Sequence, residues 1–572
     1  MRDARQRRLV VRSLPDGMAG EWPGIDPLLQ RIYLARGLSD GGQLDYALRG
    51  LLPVSSLPGV EAAVALILEN AGNHITVIGD FDADGATSTA LVIRCLKDFG
   101  IGNVDYLVPN RFRYGYGLTA EIVRVAAERA PDLLITVDNG ISSIRGVEEA
   151  HRHGMKVLIT DHHLPGAELP DADAIVNPNL VNSGFGSAHL AGVGVAFYLM
   201  AALGRELEAR GQAGAARIPA RYLDLVALGT VADVVRLDHN NRILVSQGLE
   251  RIRKTQAVAG IAALFQQAGR SLRRAVSTDL GFVAGPRLNA AGRLEDMSVG
   301  IECLLTDDAQ VAARIAAMLD EINRERKTIE AKMRQEAFAY VDALESADLP
   351  GCVCLYDEDW HQGVVGLIAA RVRERCDRPA IAFAREETGM LKGSARSIPG
   401  VHIRDLLEAV SSAEPGLIDR FGGHAMAAGL SLPETNLERF TELASASLHR
   451  LYPDVDFSGS ILIDGDLPPA ALTLEFARQL REGGPWGAGF PEPLFVGAFR
   501  VVEQRTVGEN HLKLRVTPAD GGGILDAIAF NQAGPSWRGV VQLAYRLDVN
   551  EYRGVESPQL VVEQIVNLSA AA

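Results

Sequence analysis

Five short β-rich runs alternate with helical stretches between residues 75 and 176, and this alternation constrains the fold more than any other feature of the sequence. The runs are ITVIG, VDYLV, LLITV, KVLIT and AIV, and the stretches between them include ATSTALVIRCLKDFG and ISSIRGVEEAHRHG. Strands that alternate with helices are typical of a parallel sheet, because parallel neighbours need a long crossover connection. The sequence therefore predicts an α/β domain in which helices cover both faces of a parallel sheet.

The later segments differ in pattern. The longest apolar run, Leu190 to Gly204, is shorter than the ~20 residues that span a bilayer, so we interpret it as a buried helix. From Thr306, a candidate N-cap, neither Gly nor Pro occurs before Pro350, which predicts one long helix that connects two lobes. A second α/β unit follows. The final segment, from GSILIDGDL to VVQLAYRLDV, alternates apolar and polar residues between turns, as a small β-barrel does.

These patterns divide the chain into four predicted parts. They are residues 1–305 for an N-terminal segment with the parallel-sheet catalytic domain, 306–350 for the long connecting helix, 351–454 for the second α/β domain, and 455–572 for the barrel.

Composition narrows the classes of protein that fit. The 57 Lys and Arg residues against 72 Asp and Glu residues leave a net charge of −15, which excludes a protein that coats nucleic acid through bulk basicity. Any nucleic-acid site must therefore be local. The five cysteines are scattered and odd in number, so they predict no disulfide framework and fit a reducing cytoplasm. The basic start MRDARQRRLVVR lacks the apolar core of a signal peptide, and we expect neither a leader nor a membrane segment.

Three carboxylates follow the first predicted strand. Asp80, Asp82 and Asp84 lie in VIGDFDADG, and acids this close repel one another unless cations neutralise them. The pattern also opens the calcium loop of an EF-hand, but that loop needs Glu at its twelfth position, where this chain has Leu91, and a helix in front, where this chain has a strand. We therefore expect a different metal site.

Other predicted strands end in the same chemistry. Asp138 follows LLITV, and Asp161, His162 and His163 follow KVLIT. Because ligands of an open parallel sheet bind at the carboxyl ends of its strands, we expect these side chains to meet the first three acids there. Oxygen ligands with one or two imidazoles suit Mn²⁺ or Mg²⁺, and two such ions about 4 Å apart are typical of phosphodiester hydrolysis. Asp233, in LGTVADVV, is either a further ligand or an ordinary helix cap.

The order of these motifs resembles a known family. VIGDFDADG, VPNR, VDNG, DHH and LGTVADVV occur as in DHH-family phosphoesterases, and GPRLNAAGRLED with GGHAMAAG is similar to the family's branch of single-strand-specific exonucleases. The resemblance implies a DHH-type domain, a DHHA1-type α/β domain after the long helix, and a C-terminal OB-like β-barrel. It implies two divalent cations, with Mn²⁺ preferred and Mg²⁺ allowed. Their expected ligands are Asp80, Asp82, Asp84, Asp138, His162 and Asp233.

Catalysis is expected to depend on Asp138 and His163. By resemblance to the wider family, His163 contacts the scissile phosphate; the alternative is a histidine that only supports a ligand carboxylate.

A second set of residues is expected to bind nucleic acid. Guanidinium groups neutralise phosphate and flat rings stack on bases, which favours Arg111 and Tyr114 in VPNRFRYGYGL, although tyrosines near glycine are also common in turns. The resemblance adds contacts to the 5′-terminal phosphate from Arg287, Asn289, Ser394 and Arg396, and a nucleotide contact from His424. A glycine-rich turn that packs a helix is the alternative for His424. For Trp486 and Phe490, packing under the barrel is favoured over base stacking.

The resemblance implies a cytoplasmic enzyme of DNA repair and recombination, without a membrane partner, that removes 5′-mononucleotides from single-stranded DNA in the 5′-to-3′ direction. It further implies work as a monomer beside a single-strand-binding protein and a helicase. Two alternatives stay open, namely a DHH phosphodiesterase of short oligoribonucleotides or cyclic dinucleotides, and a replication scaffold that has lost catalysis. The barrel counts against the first, and the complete set of acids counts against the second.

Overall fold

The computed structural model describes residues 7–15, 20–110, 114–344, 349–386, 389–508, 510–534 and 536–567. Contacts divide the chain into two compact units. The first comprises the described residues of Met1–Gly292, Asp296–Asp320 and Ile461–Ala572, and the second those of Arg293–Glu295 and Glu321–Ser460. These units leave the domain boundaries at 305, 350 and 454 as predictions.

The elements of the described chain follow in sequence order. The strands are β1 (Arg8–Val11), β2 (Ile75–Ile78), β3 (Val104–Leu107), β4 (Leu133–Val137), β5 (Lys156–Thr160), β6 (Ala174–Val176), β7 (Val353–Tyr356), β8 (Ala380–Arg385), β9 (Met390–Arg396), β10 (Arg420–Gly423), β11 (Ala427–Pro433), β12 (Ser460–Ile463), β13 (Phe495–Val507), β14 (His511–Pro518), β15 (Leu525–Ala529), β16 (Val540–Tyr552) and β17 (Val555–Asn567). The helices are α1 (Pro27–Leu34), α2 (Val60–Glu69), α3 (Ala83–Asp98), α4 (Ala120–Ala127), α5 (Ile144–Arg152), α6 (Gly192–Ala209), α7 (Leu223–Ala232), α8 (His239–Arg253), α9 (Ala259–Gln267), α10 (Ser277–Asp279), α11 (Gly285–Leu294), α12 (Ser298–Leu305), α13 (Ala309–Ala343), α14 (Val365–Cys376), α15 (Ile403–Ala413), α16 (Leu437–Leu451) and α17 (Leu474–Glu482).

The first unit contains the predicted parallel sheet, with strand order β3-β2-β4-β5-β6. Every residue of β2 and β4 is buried, because hydrophobic clusters cover both faces of the sheet. The direction in which strands are added reverses between β2 and β4. In sheets of this kind the crevice at such a reversal, beyond the carboxyl ends of the strands, is where ligands bind. The α/β prediction is confirmed.

Two of the long sequence patterns form the helices they predicted. The apolar run after Leu190 forms α6, which is buried over most of its length. The segment without Gly or Pro forms α13, a single helix of 35 residues. The prediction of Thr306 as its N-cap is wrong: Thr306 follows the last residue of α12, and Asp308 Oδ1 accepts the N–H groups of Gln310 and Val311.

The C-terminal part of the first unit is a closed barrel with strand order β13-β14-β15-β17-β16, which confirms the OB-like prediction. The segment GSILI was expected to belong to this barrel, and that is wrong. It forms β12, which pairs with β1 in a separate two-stranded sheet, and Arg12 N–H donates to the Ile463 carbonyl just beyond the pair. An alternating strand pattern identifies a strand but not the strand with which it pairs.

Trp486 and Phe490 pack in the core, where 6% and 1% of their surfaces are exposed. Their rings stack at 5.1 Å, both stack on Tyr33 of α1, and the buried guanidinium of Arg242 lies 4.5 Å from the centre of the Phe490 ring. This ladder of rings and guanidinium joins segments that are far apart in the sequence. The packing interpretation of both aromatic residues is confirmed.

The second unit contains a mixed sheet with strand order β10-β11-β9-β8-β7. Only β7 and β8 run parallel, and the remaining neighbours are antiparallel. The glycine-rich segment GGHAMAAG is the turn of the β10–β11 hairpin, in which His424 N–H donates to the Ala427 carbonyl.

Across the described ranges, no single helix is long and apolar enough to cross a membrane. The helical segments Leu48–Ser56 and Val60–Glu69 reach the required length and composition only as a pair, and that pair is bent by 78°.

Candidate metal centre

The loop between β2 and α3 brings three acids to one edge of the sheet. Asp80 and Asp84 are buried, and Asp82 caps α3 by accepting the Gly85 N–H at 3.0 Å. The loop is tight because position 85 has no side chain: a Cβ there would lie 2.6 Å from Asp80 Cβ. A strand that turns directly into a helix therefore places alternate carboxylates on one side of the chain.

Asp84 is held by the first turn of α6. Its Oδ2 accepts the Gly192 N–H at 2.7 Å, and its Oδ1 accepts the Val193 N–H at 3.0 Å. These N–H groups have no partner within their own helix, and the positive end of the helix dipole favours a carboxylate at this point. Asp84 is thus fixed by backbone groups more than 100 residues away in the sequence.

Asp138 follows β4 with a left-handed backbone, at φ 62°, and is 2% exposed. The side-chain amide Nδ2 of the next residue, Asn139, donates to the backbone carbonyls of Ile78 and Val137 and so links the ends of β2 and β4. A Cβ on Gly192 would lie 2.5 Å from Asp138 Cβ. The absence of a side chain at Gly192 therefore lets α6 approach both Asp84 and Asp138.

His162 joins the acids from the loop after β5. Its Nε2 lies 3.1 Å from Asp138 Oδ1 and 3.6 Å from Asp233 Oδ2. Asp233 directly follows α7, and a carboxylate at the C-terminus of a helix is opposed by the helix dipole. That position removes the physical basis for the ordinary-cap interpretation and leaves the metal-ligand interpretation as a prediction.

His163 points to a different partner. Its Nδ1 lies 2.7 Å from Asp161 Oδ1, and the same carboxylate accepts the N–H groups of His162, His163 and Ile141. These bonds and the two imidazoles hold the pKa of Asp161 below its usual value in spite of its burial. Burial opposes charge on His163, but Asp161 and the acids beyond it raise its pKa above the ordinary value. Asp161 therefore orients this imidazole and favours its protonated form.

Burial and mutual repulsion raise the pKa values of Asp84, Asp138 and Asp233. Burial, and next the charge of Asp82, raise the pKa of Asp84 to about 7. Burial and the neighbouring carboxylates also raise the pKa of Asp138 and of Asp233 well above the usual value. These groups retain protons unless a cation balances their charge.

The same donors fit divalent cations. Ligand atoms lie within 4.8 Å of one another in three sets, which are Asp80, Asp82 and Asp138; Asp84, His162 and Asp233; and Asp138, His162 and His163. Asp138 Oδ1 is buried and accepts no hydrogen bond from the part of the chain that the structure describes. Carboxylate oxygens with one or two imidazoles are ligands that Mn²⁺ and Mg²⁺ accept.

Residues predicted to bind nucleic acid differ in their surroundings. Arg111 lies outside the described residues, and Tyr114 is half-buried against the sheet. The Arg287 guanidinium pairs with Asp320, with its Nη2 2.7 Å from Asp320 Oδ1. Asn289 Oδ1 accepts the Ala83 N–H at 2.8 Å. Asn289 therefore supports the acid loop directly, and a phosphate contact by either residue remains a prediction.

The other three lie together in the second unit. Ser394 and Arg396 are on β9, and Arg396 Nη1 donates to Ser394 Oγ at 3.0 Å. Arg396 is opposite Ala427 of β11, so the hairpin turn that contains His424 adjoins the same end of the sheet. Burial, and next the charge of Arg373, lower the pKa of Arg396. An anion bound here would stabilise the buried positive charge of the Arg396 guanidinium.

Two functional neighbours were missed as site residues. Asp161 was expected at this edge of the sheet but not as the partner of His163, and Tyr116, the second tyrosine of VPNRFRYGYGL, was expected either to stack on bases or to form an ordinary turn. The Tyr116 hydroxyl lies 3.3 Å from the Asp138 carbonyl oxygen and 3.3 Å from each ring nitrogen of His163. The DHH tripeptide itself was the signal for Asp161; no local signal indicates the contact of Tyr116.

Three family models match the chain, and together they cover most of it. The model of the DHH family, N-terminal domain, matches residues 74–230, that of the DHHA1 domain residues 349–450, and that of the RecJ OB domain residues 463–564. The chain is 51% identical to the single-stranded-DNA-specific exonuclease RecJ of Escherichia coli, over 95% of this chain and 96% of the relative. It is 49% identical to the protein of that name from Dickeya dadantii, over 98% of each chain.

A solved structure extends the likeness to the whole fold. The crystal structure of RecJ in complex with Mn²⁺ from Thermus thermophilus superposes with a TM-score of 0.80 at 31% identity, over 99% of this chain and 80% of that one. The corresponding Mg²⁺ complex gives a TM-score of 0.76 at 29% identity, over 99% and 79%.

Proposed function

Because the chain belongs to the RecJ family of single-stranded-DNA-specific exonucleases, we propose that it is a metal-dependent exonuclease that hydrolyses single-stranded DNA. The observation that carries this proposal is the convergence of acids and imidazoles from the loops after β2, β4 and β5 and from the end of α7. Carboxylates gathered at the crevice of a parallel sheet are the chemistry that phosphodiester hydrolysis requires.

We infer that two divalent cations, preferably Mn²⁺, bind here, with Asp80, Asp82, Asp84, Asp138, His162 and Asp233 as their ligands. The support is the raised pKa of Asp84 and the spacing of the ligand atoms. Bound divalent ions lower the pKa of water and balance the charge of a phosphate that is being cleaved. The relative from Thermus thermophilus has been crystallised with Mn²⁺ and also with Mg²⁺, so the preferred metal is to be measured.

Residues of the chain itself orient the groups that take part in the reaction. Asp161 holds Nδ1 of His163, which leaves the protonated imidazole as a charged donor toward the scissile phosphate. Asp84 is fixed by two backbone N–H groups before substrate arrives, so this carboxylate needs no rearrangement during turnover. No covalent bond to the protein forms in this scheme.

We propose that digestion proceeds from the 5′ end and releases 5′-mononucleotides. Ser394, Arg396 and His424 would hold the terminal phosphate, since Arg396 is a largely buried guanidinium beside a hydroxyl. Arg111, Tyr114, Arg287 and Asn289 would also contact the strand. The closed barrel adds a surface for longer strands, which argues against a substrate of two or three nucleotides.

In a cell this activity would serve DNA repair and recombination in the cytoplasm. A helicase and a single-strand-binding protein would supply and coat the strand, and the enzyme would act as a monomer.

One experiment tests these points together. DNA strands labelled at the 5′ or the 3′ end, their RNA equivalents and duplex DNA are incubated with wild type and Asp138→Ala in Mn²⁺ or Mg²⁺. We expect release of 5′-labelled mononucleotides from single-stranded DNA by wild type alone. Preference for short RNA would favour the oligoribonucleotide alternative. Binding without cleavage by wild type would favour the scaffold.

A further inference from the structure

Tyr116 contacts all three strand-end loops that supply the candidate metal centre. Its hydroxyl lies 3.3 Å from the Asp138 carbonyl oxygen, after β4. Its ring meets the His163 ring edge-to-face at 5.8 Å, after β5, and the Phe81 ring edge-to-face at 5.9 Å, after β2. The phenol is nevertheless half exposed, at 51%, so one side of it borders the open crevice.

Two glycines with left-handed backbone conformations flank Tyr116 in its loop. Gly115 and Gly117 flank Tyr116 with φ values of 77° and 75°, which side chains rarely adopt. A Cβ on Gly117 would also lie 3.3 Å from Ser143 Oγ. Two left-handed glycines therefore set the backbone on either side of Tyr116.

The position of the hydroxyl explains what it can do. It is equally distant from Nδ1 and Nε2 of His163, so it lies over the imidazole ring and not in line with one nitrogen. Asp161 already holds Nδ1. Carboxylate and phenol together therefore restrain both the in-plane direction and the tilt of this ring, while the hydroxyl donates to the Asp138 carbonyl.

We propose that Tyr116 is a positioning residue for the hydrolytic reaction: it fixes the His163 ring against the Asp138 loop so that the imidazole meets the scissile phosphate in one orientation. The inference rests on the proposed function for the identity of the substrate. The contact between Tyr116 and His163 is independent of the proposed function, because it exists in the protein without substrate. A displacement of about 1 Å at a catalytic group can cost roughly 100-fold in rate, so loss of one restraint is measurable.

Kinetics of Tyr116→Phe test the proposal. This variant keeps both ring contacts and loses the hydroxyl. We expect kcat to fall about tenfold with KM within about twofold, because binding of the strand is unaffected while its reaction geometry is not. In the His163→Ala background, Tyr116→Phe should cause no further loss. Tyr106→Phe is the control: Tyr106 lies on β3 of the same sheet, and its hydroxyl donates to Glu302 of α12 instead of contacting His163. A wild-type kcat in Tyr116→Phe, or losses that multiply in the double variant, would overturn the proposal.

A measurement without substrate separates this inference from the proposed function. In protein with ¹⁵N- and ¹³C-labelled histidine, the ring signals of His163 are identified among the 12 histidines by their disappearance in His163→Gln. Tyr116→Leu should shift these signals, because it removes an edge-to-face ring, whereas Tyr106→Phe should not. Unshifted His163 signals in folded Tyr116→Leu would refute the contact. Failure of wild type to cleave DNA, with the shift present, would instead refute the proposed function.

Discussion

Asp84 Oδ2 accepts the N–H of Gly192 at 2.7 Å, which links the acid loop after β2 to the first turn of α6. Gly192 has no side chain, and a Cβ there would lie 2.5 Å from Asp138 Cβ, so only glycine lets the first turn of α6 approach the acids this closely. An uncharged residue thereby determines whether the carboxylates can gather.

Gly192→Ala should abolish metal binding without changing an acid. Its Cβ would lie 2.5 Å from Asp138 Cβ and 2.6 Å from Asp138 Oδ1, so α6 or Asp138 must move. We expect loss of the rise in Tm that Mn²⁺ causes in wild type. Gly102→Ala is the control, because nothing lies within 4 Å of a Cβ there. A normal response to Mn²⁺ in Gly192→Ala would contradict the close approach.

Asp138→Asn should have opposite effects on activity and on metal-free stability. Cleavage is expected to fall about 100-fold or more, because a metal ligand is weakened. In a chelator, Tm should rise, since one of several mutually repelling buried acids becomes neutral. Asp224→Ala serves as the control: Asp224 is a buried acid whose Oδ2 accepts the Val258 N–H, so removal of that acceptor should lower Tm and spare the response to Mn²⁺. A fall in metal-free Tm for Asp138→Asn would argue against the repulsion.

The metal-free protein should lose stability as pH rises. The pKa of Asp84 is raised from 3.8 to about 7 in the fold, so the folded state holds a proton that the unfolded state releases. The resulting contribution to stability is complete below pH 3.8 and is lost as pH rises to about 7. Asp138 and Asp233 act in the same direction.

Thermal melting at pH 5.5 and pH 7.5, with a chelator or with Mn²⁺, measures this effect. We expect a lower Tm at the higher pH in the chelator and a larger Mn²⁺-induced rise there, because the cation competes with protons for the acids. An Mn²⁺-induced rise that does not depend on pH would contradict the raised pKa values.

Asn289→Ala should weaken metal binding through the backbone. The side-chain oxygen Oδ1 of Asn289 accepts the Ala83 N–H, and its loss leaves that donor without this acceptor at a cost of about 1 kcal/mol. We expect a higher Mn²⁺ concentration for half-maximal stabilisation in a titration followed by melting. Asn436→Ala removes a similar side-chain bond, to the Leu417 carbonyl in the second unit, and should leave the titration unchanged. Equal midpoints in both variants would refute a supporting role for Asn289.

Arg396→Ala should remove the preference for a 5′-phosphate. A charged hydrogen bond to phosphate contributes about 1.5–3 kcal/mol, so kcat/KM on 5′-phosphorylated strands should fall roughly tenfold or more, with little change on 5′-hydroxyl strands. The exposed Arg420 on β10 of the same sheet provides the control variant Arg420→Ala. Equal losses on both kinds of strand would place Arg396 elsewhere in the mechanism.

The sequence by itself determined the elements and the edge of the sheet at which chemistry gathers. Buried apolar runs that alternate with helical stretches allow little besides a parallel sheet, and parallel strands place their carboxyl ends at one edge. Asp80, Asp138 and His162 could therefore be assigned to one place before any contact was known, and the order of the motifs indicated the family.

Tertiary structure decided which atoms meet. The pairing of β12 with β1, the bond between Asp84 and α6, the restraint of His163 by Asp161 and Tyr116, and the ion pair of Arg287 with Asp320 were not predicted. Periodicity reports only which face of an element is buried, because it arises from interactions between near neighbours. The partner of a polar group depends instead on how separate segments of the chain pack together, and that is fixed only when the whole core forms.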